Sequence, residues 1–136
     1  MPKIDNFLGK WKMLPEMSVY ATGEPPKSGT YEIVQDGKKL TFIMDWVDAA
    51  GEAKHMAYSE ICDGQFHPYT DAPIADEICL TLESDHILKS VAKLAGKVKL
   101  TAIRELTAQG QLKVVMSAHS ADGTPFSHHS VYQKSN

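Results

Sequence analysis

Turn signals recur along the whole chain, and runs that alternate between apolar and polar residues fill the intervals. The signals are Asp36-Gly37, Asp48-Ala49-Ala50-Gly51, Asp63-Gly64, Ser84-Asp85, Ala95-Gly96, Gln109-Gly110 and Asp122-Gly123. Gly accepts positive φ without steric cost and Asp hydrogen-bonds its own backbone, so Asp-Gly favours tight hairpin turns. The intervals leave room for strands of about 6–10 residues. Leu40, Phe42, Met44 and Trp46 share one face, with Thr41, Ile43, Asp45 and Val47 on the other. Leu112, Val114, Met116 and Ala118 likewise oppose Lys113, Val115, Ser117 and His119. Val98, Leu100 and Ala102 oppose Lys97, Lys99 and Thr101, and Ile78, Leu80 and Leu82 oppose Glu77, Cys79, Thr81 and Glu83. Period two is the mark of a sheet with one buried and one wet face. Regular hairpins of this kind predict an all-β antiparallel meander, closed as a barrel or folded as a sandwich.

Two segments resist the pattern. Residues 15–28 hold Pro15, Gly23, Pro25 and Pro26 and cannot form a central strand. They read as a long connection between the first and second strands, with room for one short helical turn. In 85–96, Ile87, Leu88, Val91, Leu94 and Ala95 follow helical spacing, Asp85 offers a cap and Gly96 a stop. A lone helix in a β chain is out of context, which pulls the segment towards strand. Counted this way the strands come to about nine.

A chain of 136 residues is one domain's length, 1–136, and can build a core without metal or disulfide staples. The net charge of −3 provides no basic field for nucleic acid or anionic lipid. No stretch approaches the ~20 apolar residues of a membrane helix. Met1–Gly9 carries no apolar leader segment, so a cytoplasmic location is expected, with Cys62 and Cys79 as free thiols. No zinc-type ligand pairs occur.

The opening Phe7-Leu8-Gly9-Lys10-Trp11 has the Gly-x-Trp shape of the first strand of lipocalins and fatty-acid-binding proteins. The closing Val131-Tyr132-Gln133-Lys134 is similar to their final strand. Between them the chain resembles a family of small bacterial lipocalin-like proteins of largely unassigned function. The likeness rests on Gly23-Glu24-Pro25-Pro26-Lys27-Ser28, the aromatic-led Thr30-Tyr31-Glu32, Tyr58, Asp63-Gly64 and Pro68. Pro73-Ile74-Ala75-Asp76, the Gly96-Lys97-Val98 hairpin and Arg104 complete it. It covers about residues 7–134. The resemblance implies a calycin-type, up-and-down antiparallel barrel of about eight to ten strands around a cavity, with 86–94 as a strand. The chain departs from the family at Asp71, where Gly is usual, and at the turn Thr107-Ala108-Gln109-Gly110. Fatty-acid-binding proteins carry an Arg two residues before the last-strand Tyr, where it binds the ligand carboxylate. Here that residue is Ser130, and the short, Pro-rich 15–28 leaves no length for their two-helix lid.

Arg104 is the only arginine, and strand phase puts it on the more apolar face with Val98, Leu100 and Ala102. An inward arginine needs partners, because an unpaired buried charge is costly. It serves either as an anchor for an anionic head group or as a structural group, stacked on Trp11 or paired with Glu60. Phe42, Met44, Trp46, Tyr58, Arg104, Met116 and Tyr132 are the candidate ligand contacts, with Glu60 also able to face a cavity. The expected partner is a small hydrophobic or amphipathic ligand, and no cofactor is expected. His119, His128 and His129 lie on the last two strands, but neighbours on a strand point oppositely, so no metal site is expected. His67 falls near a barrel mouth by the family analogy. No nucleophile elbow, P-loop or dinucleotide fingerprint occurs. Two other readings stay open: an isomerase- or hydratase-like enzyme using a histidine in the barrel, and a filled structural barrel. A homodimer through a strand edge or barrel flank is also compatible with the sequence.

Overall fold

The computed structural model describes residues 3–20, 26–69, 75–119 and 123–135, with Tyr20 and His119 described by backbone only. Gly23, Glu24, Pro25, Asp71, Pro73, Ile74 and Asp122, singled out above, lie outside the described residues. The strands are β1 (Gly9–Met13), β2 (Val19–Tyr20), β3 (Ser28–Asp36), β4 (Lys39–Val47), β5 (Ala53–Ile61), β6 (Phe66–Pro68), β7 (Glu77–Ser84), β8 (Ile87–Leu94), β9 (Lys97–Leu106), β10 (Gln111–His119) and β11 (Pro125–Lys134). They form one antiparallel sheet in the order β5-β4-β3-β1-β11-β10-β9-β8-β7-β6, with β2 beside β11 off this path. The sheet curls into a nearly closed barrel, one of the two architectures that the turn pattern allows and the one that the resemblance implies. Among the described residues no helix is long and apolar enough to cross a membrane.

The ambiguous segment resolves as a strand: Ile87–Leu94 pairs β7 on one side and β9 on the other. Two flanking ladders outweigh local helical spacing, which is a weak preference. Its hairpin to β9 turns through Ala95 (φ 54°) and Gly96 (φ 80°), two successive positive angles that match the right-handed strand twist. The 15–28 connection contains more than a turn. A 3₁₀ turn over Pro15–Met17 leads into β2, whose Val19 and Tyr20 pair with His129 and His128. A two-residue strand has no periodicity to read, so its sequence is silent. Val98 departs from its predicted face. Lys93 pairs with Val98 and Ala92 with Leu100, so the register skips Lys99, and Val98 is left exposed. Such a bulge breaks the alternation on which phase reading depends.

The barrel interior is uneven. At one end Phe7, Trp11, Ile33, Leu40, Phe42, Leu80, Leu88 and Leu112 pack into a filled core. The Trp11 indole donates to the Phe7 carbonyl at 3.0 Å, and Lys134 lies over the Trp11 ring. Towards the other end the inward residues become small: β8 steps from Leu88 to Ser90 to Ala92, and Gly29, Ala75, Ala102 and Ser130 join them. Small side chains on a closed sheet leave volume that the backbone cannot collapse to fill.

Closure is incomplete between the ends of the path, β5 and β6. Cys62 bridges Leu80, and the Gly64 N–H donates to the Leu80 carbonyl at 2.8 Å. Among the described residues no backbone hydrogen bond joins Ala53–Ile61 to β6 or β7. Across this seam the Tyr58 ring of β5 meets the Tyr69 ring just beyond β6.

Candidate functional site

The small inward residues enclose a cavity of about 340 Å³. Its wall is mostly apolar, with Met13, Met44, Met56 and Met116 alongside Trp46 and Tyr132. That volume lies in the range of small-molecule pockets. Flexible thioethers line irregular shapes without a fixed rotamer.

The polar groups converge on Arg104. β9 turns it inward in one row with Leu88, Val114 and Ser130, and it is 2% exposed. Its Nε donates to the Tyr31 hydroxyl at 2.7 Å, Nη1 to Ser90 Oγ at 3.2 Å and Nη2 to the Tyr58 hydroxyl at 2.8 Å. The guanidinium carbon stands 4.4 Å from the centre of the Phe42 ring. Among the described residues no carboxylate makes an ion pair with it. The partners differ from those expected of a structural arginine: the ring beneath it is Phe42 rather than Trp11, whose face Lys134 occupies, and its hydrogen bonds go to hydroxyls rather than to Glu60.

The chemistry of this cluster is one-sided. Arginine only donates, so each facing hydroxyl oxygen accepts, and each hydroxyl proton remains for another acceptor. No acceptor for the Tyr31, Tyr58 or Ser90 proton occurs among the described residues, and two of the guanidinium's five N–H groups are also unspent. Burial, moderated by the Arg104 charge, pushes the Tyr31 hydroxyl up to about 12, so it stays a donor at any physiological pH. Burial works against the Arg104 charge, the facing Tyr31 and Tyr58 oxygens work for it, and the balance raises its pKa above the ordinary value. The cluster therefore presents donors and a positive charge to the cavity, and nothing that a cation would bind.

The predicted contacts separate into three groups. Met44, Trp46, Tyr58, Arg104 and Tyr132 line the cavity together. Met116 lines it as well but is 41% exposed, which puts it near the mouth. Phe42 is fully buried beneath Arg104 and is not part of the cavity wall; it belongs to the filled core. Tyr31, Ser90 and Ser130 are among the further lining residues, and sequence phase alone did not single them out as contacts. Tyr31 had a signal, the inward phase of Ile33 on its own strand, while Ser90 sat in the segment with ambiguous periodicity.

The other candidates lie elsewhere. His67 sits on β6 at the seam, with its Nε2 at 2.9 and 3.0 Å from the two Asp63 carboxylate oxygens. That contact, with the Gln65 N–H, holds the Asp63 carboxyl below its usual range. Glu60 is buried and borders a second hollow at the same seam. His128 lines the main cavity, His129 points to the opposite face, and the His119 side chain lies outside the described residues. Among the described residues no three His, Cys, Asp or Glu side chains gather as metal ligands. Cys62 and Cys79 are free thiols, and burial pushes the Cys62 thiol up.

Comparison with solved structures gives a zebrafish ileal bile acid-binding protein complexed with cholic acid. It is 16% identical with a TM-score of 0.59, over 96% of this chain and 99% of that one. A protein of unknown function of the DUF3598 family from Nostoc punctiforme is 17% identical with a TM-score of 0.58. That match takes in 97% of this chain, which spans about half (49%) of the other. At such identities the likeness is one of fold: an antiparallel calycin-like barrel. No family model and no curated protein matches the sequence.

Proposed function

We propose that the barrel binds a small amphipathic molecule whose polar end is an anionic or carbonyl-type acceptor. The observation that carries this reading is the buried Arg104, whose hydrogen bonds all go to hydroxyls, at the wall of an apolar cavity. A charge taken out of water without a carboxylate costs several kcal/mol. An acceptor group on a ligand would offset that cost and use the unspent hydroxyl protons of Tyr31 and Tyr58. At an effective dielectric of ~20, a charge pair at ~4 Å is worth about 4 kcal/mol. Met44, Trp46, Met116 and Tyr132 would hold the apolar part, at about 25 cal/mol for each Å² withdrawn from water.

Arg104 reaches the cavity from β9, so the absence of an arginine at Ser130 does not remove the anchor. The solved neighbour that carries cholic acid, an amphipathic carboxylate, supports the ligand class by analogy of fold. Native mass spectrometry of protein purified without detergent tests the proposal. The expected result is a mass excess lost on denaturation, with an amphipathic acid or carbonyl compound in the extract. A bare mass, together with no binding of an anilinonaphthalene sulfonate probe, would overturn it.

A further inference from the structure

Tyr69 borders two hollows. It lines the main cavity, and it lines a second pocket of about 370 Å³ at the seam, together with Lys39, Ser59, Glu60 and His67. The ring is 7% exposed and packs against Ala75, Ile78 and Ala92. It meets Tyr58 edge-on, with ring centres 6.5 Å apart. Its backbone is fixed, because the Tyr69 N–H donates to the Asp76 carbonyl at 2.9 Å. This is the stretch of wall where β5 has no backbone hydrogen bonds to β6 or β7 among the described residues.

Elsewhere the barrel wall is backbone, whose hydrogen-bonded ladders cannot part without large cost. At the seam Tyr69 is common to the linings of both hollows. Removing one ring there opens volume without breaking a ladder. The two pockets also differ in character. The main cavity is mostly apolar, whereas the seam pocket carries Lys39, Ser59, Glu60 and His67, with Asp63 holding the imidazole.

We infer that Tyr69 is the specificity-determining side chain that limits ligand length, by closing the main cavity off from a polar second subsite at the seam. The inference rests on the amphipathic-ligand reading above. A ligand confined by Tyr69 has its apolar part within the main cavity. With a smaller residue at 69, a longer ligand extends into the seam, where a terminal hydroxyl or amide finds Ser59, His67 and Lys39.

The test is calorimetric titration of straight-chain carboxylates from octanoate to octadecanoate against the native protein, Tyr69→Ala and Tyr69→Leu. Tyr69→Leu keeps apolar packing should the alanine variant fail to fold. In the native protein affinity stops rising at a limiting length. In the variants it continues to rise past that length, by up to about fourfold for each further methylene buried. A terminal hydroxyl on the longest chains adds affinity in the variants and not in the native protein. A limiting length unchanged by both substitutions overturns the inference while leaving the binding reading intact. Failure of every chain to bind the native protein sinks the binding reading instead. Xenon-pressurised crystals then decide the partition alone: gas confined to the main cavity in the native protein and continuous into the seam in the variant supports it, and identical gas sites in both overturn it.

Discussion

Replacing Arg104 by Met separates an anchoring role from a scaffolding one. Met fills most of the stem volume and removes the charge and all five donors. In the free protein two effects oppose each other. Three charge-assisted hydrogen bonds are lost, each worth about 1.5–3 kcal/mol, and a desolvation cost of several kcal/mol disappears. The unfolding free energy should therefore change by less than about 2 kcal/mol, as measured by urea titration. Binding should change far more. An acceptor head group meets the two unspent guanidinium N–H groups, and at ~1.5–3 kcal/mol apiece their loss amounts to about 3–6 kcal/mol. Decanoate should bind roughly two to four orders of magnitude more weakly to Arg104→Met than to the native protein. Decanol, with the same tail and no charge, should lose less than about tenfold. Calorimetry on the two ligands and two proteins isolates the term as a double-difference. Equal losses for decanoate and decanol would refute the reasoning, since they would mean that Arg104 only shapes the cavity. Decanoate affinity unchanged to within about threefold would refute it as well.

Alkaline pH should destabilise the fold through Tyr31. Its folded pKa of about 12 lies above the ordinary value near 10, so the unfolded chain releases this proton first. Stability is complete below about pH 10 and falls as pH rises towards 12, by up to ~2.7 kcal/mol, and Tyr31→Phe should flatten that slope in urea titrations. Leu88→Ala, in the filled end where Leu88 is fully buried, should cost about 2–5 kcal/mol by denaturant unfolding while sparing the cavity wall. Gly29 lines the cavity, and a Cβ there would stand 3.3 Å from Trp46 Cβ and 3.6 Å from Met13 Cβ. Gly29→Val should therefore push Trp46 into the cavity, shift its emission and weaken ligand binding by about tenfold or more, with the far-ultraviolet dichroism of the barrel retained.

Much of this molecule is local chemistry written along the chain. Alternation in 40–47, 77–83 and 111–119 sets β4, β7 and β10 and their inward faces, because a strand's side chains alternate whatever it pairs with. The inward phase of Arg104, Met44, Trp46, Tyr58 and Tyr132 follows from the same rule, and all five line the cavity. What lay beyond the sequence depends on which strands become neighbours. Tyr31, Tyr58, Ser90 and Arg104 come from β3, β5, β8 and β9, and only closure of the sheet brings them within hydrogen-bond reach. Phe42 shares a strand face with Met44 and Trp46, yet it is core and they are wall, because the barrel narrows onto Leu40, Leu88 and Leu112 at its level. The bulge at Lys99, the two-residue β2 and the side-chain seam at Tyr69 leave no period to read, since each is set by partner strands rather than by its own residues. Periodicity determined which side chains turn inward; tertiary closure determined which of them meet, and where they are small enough to leave a space.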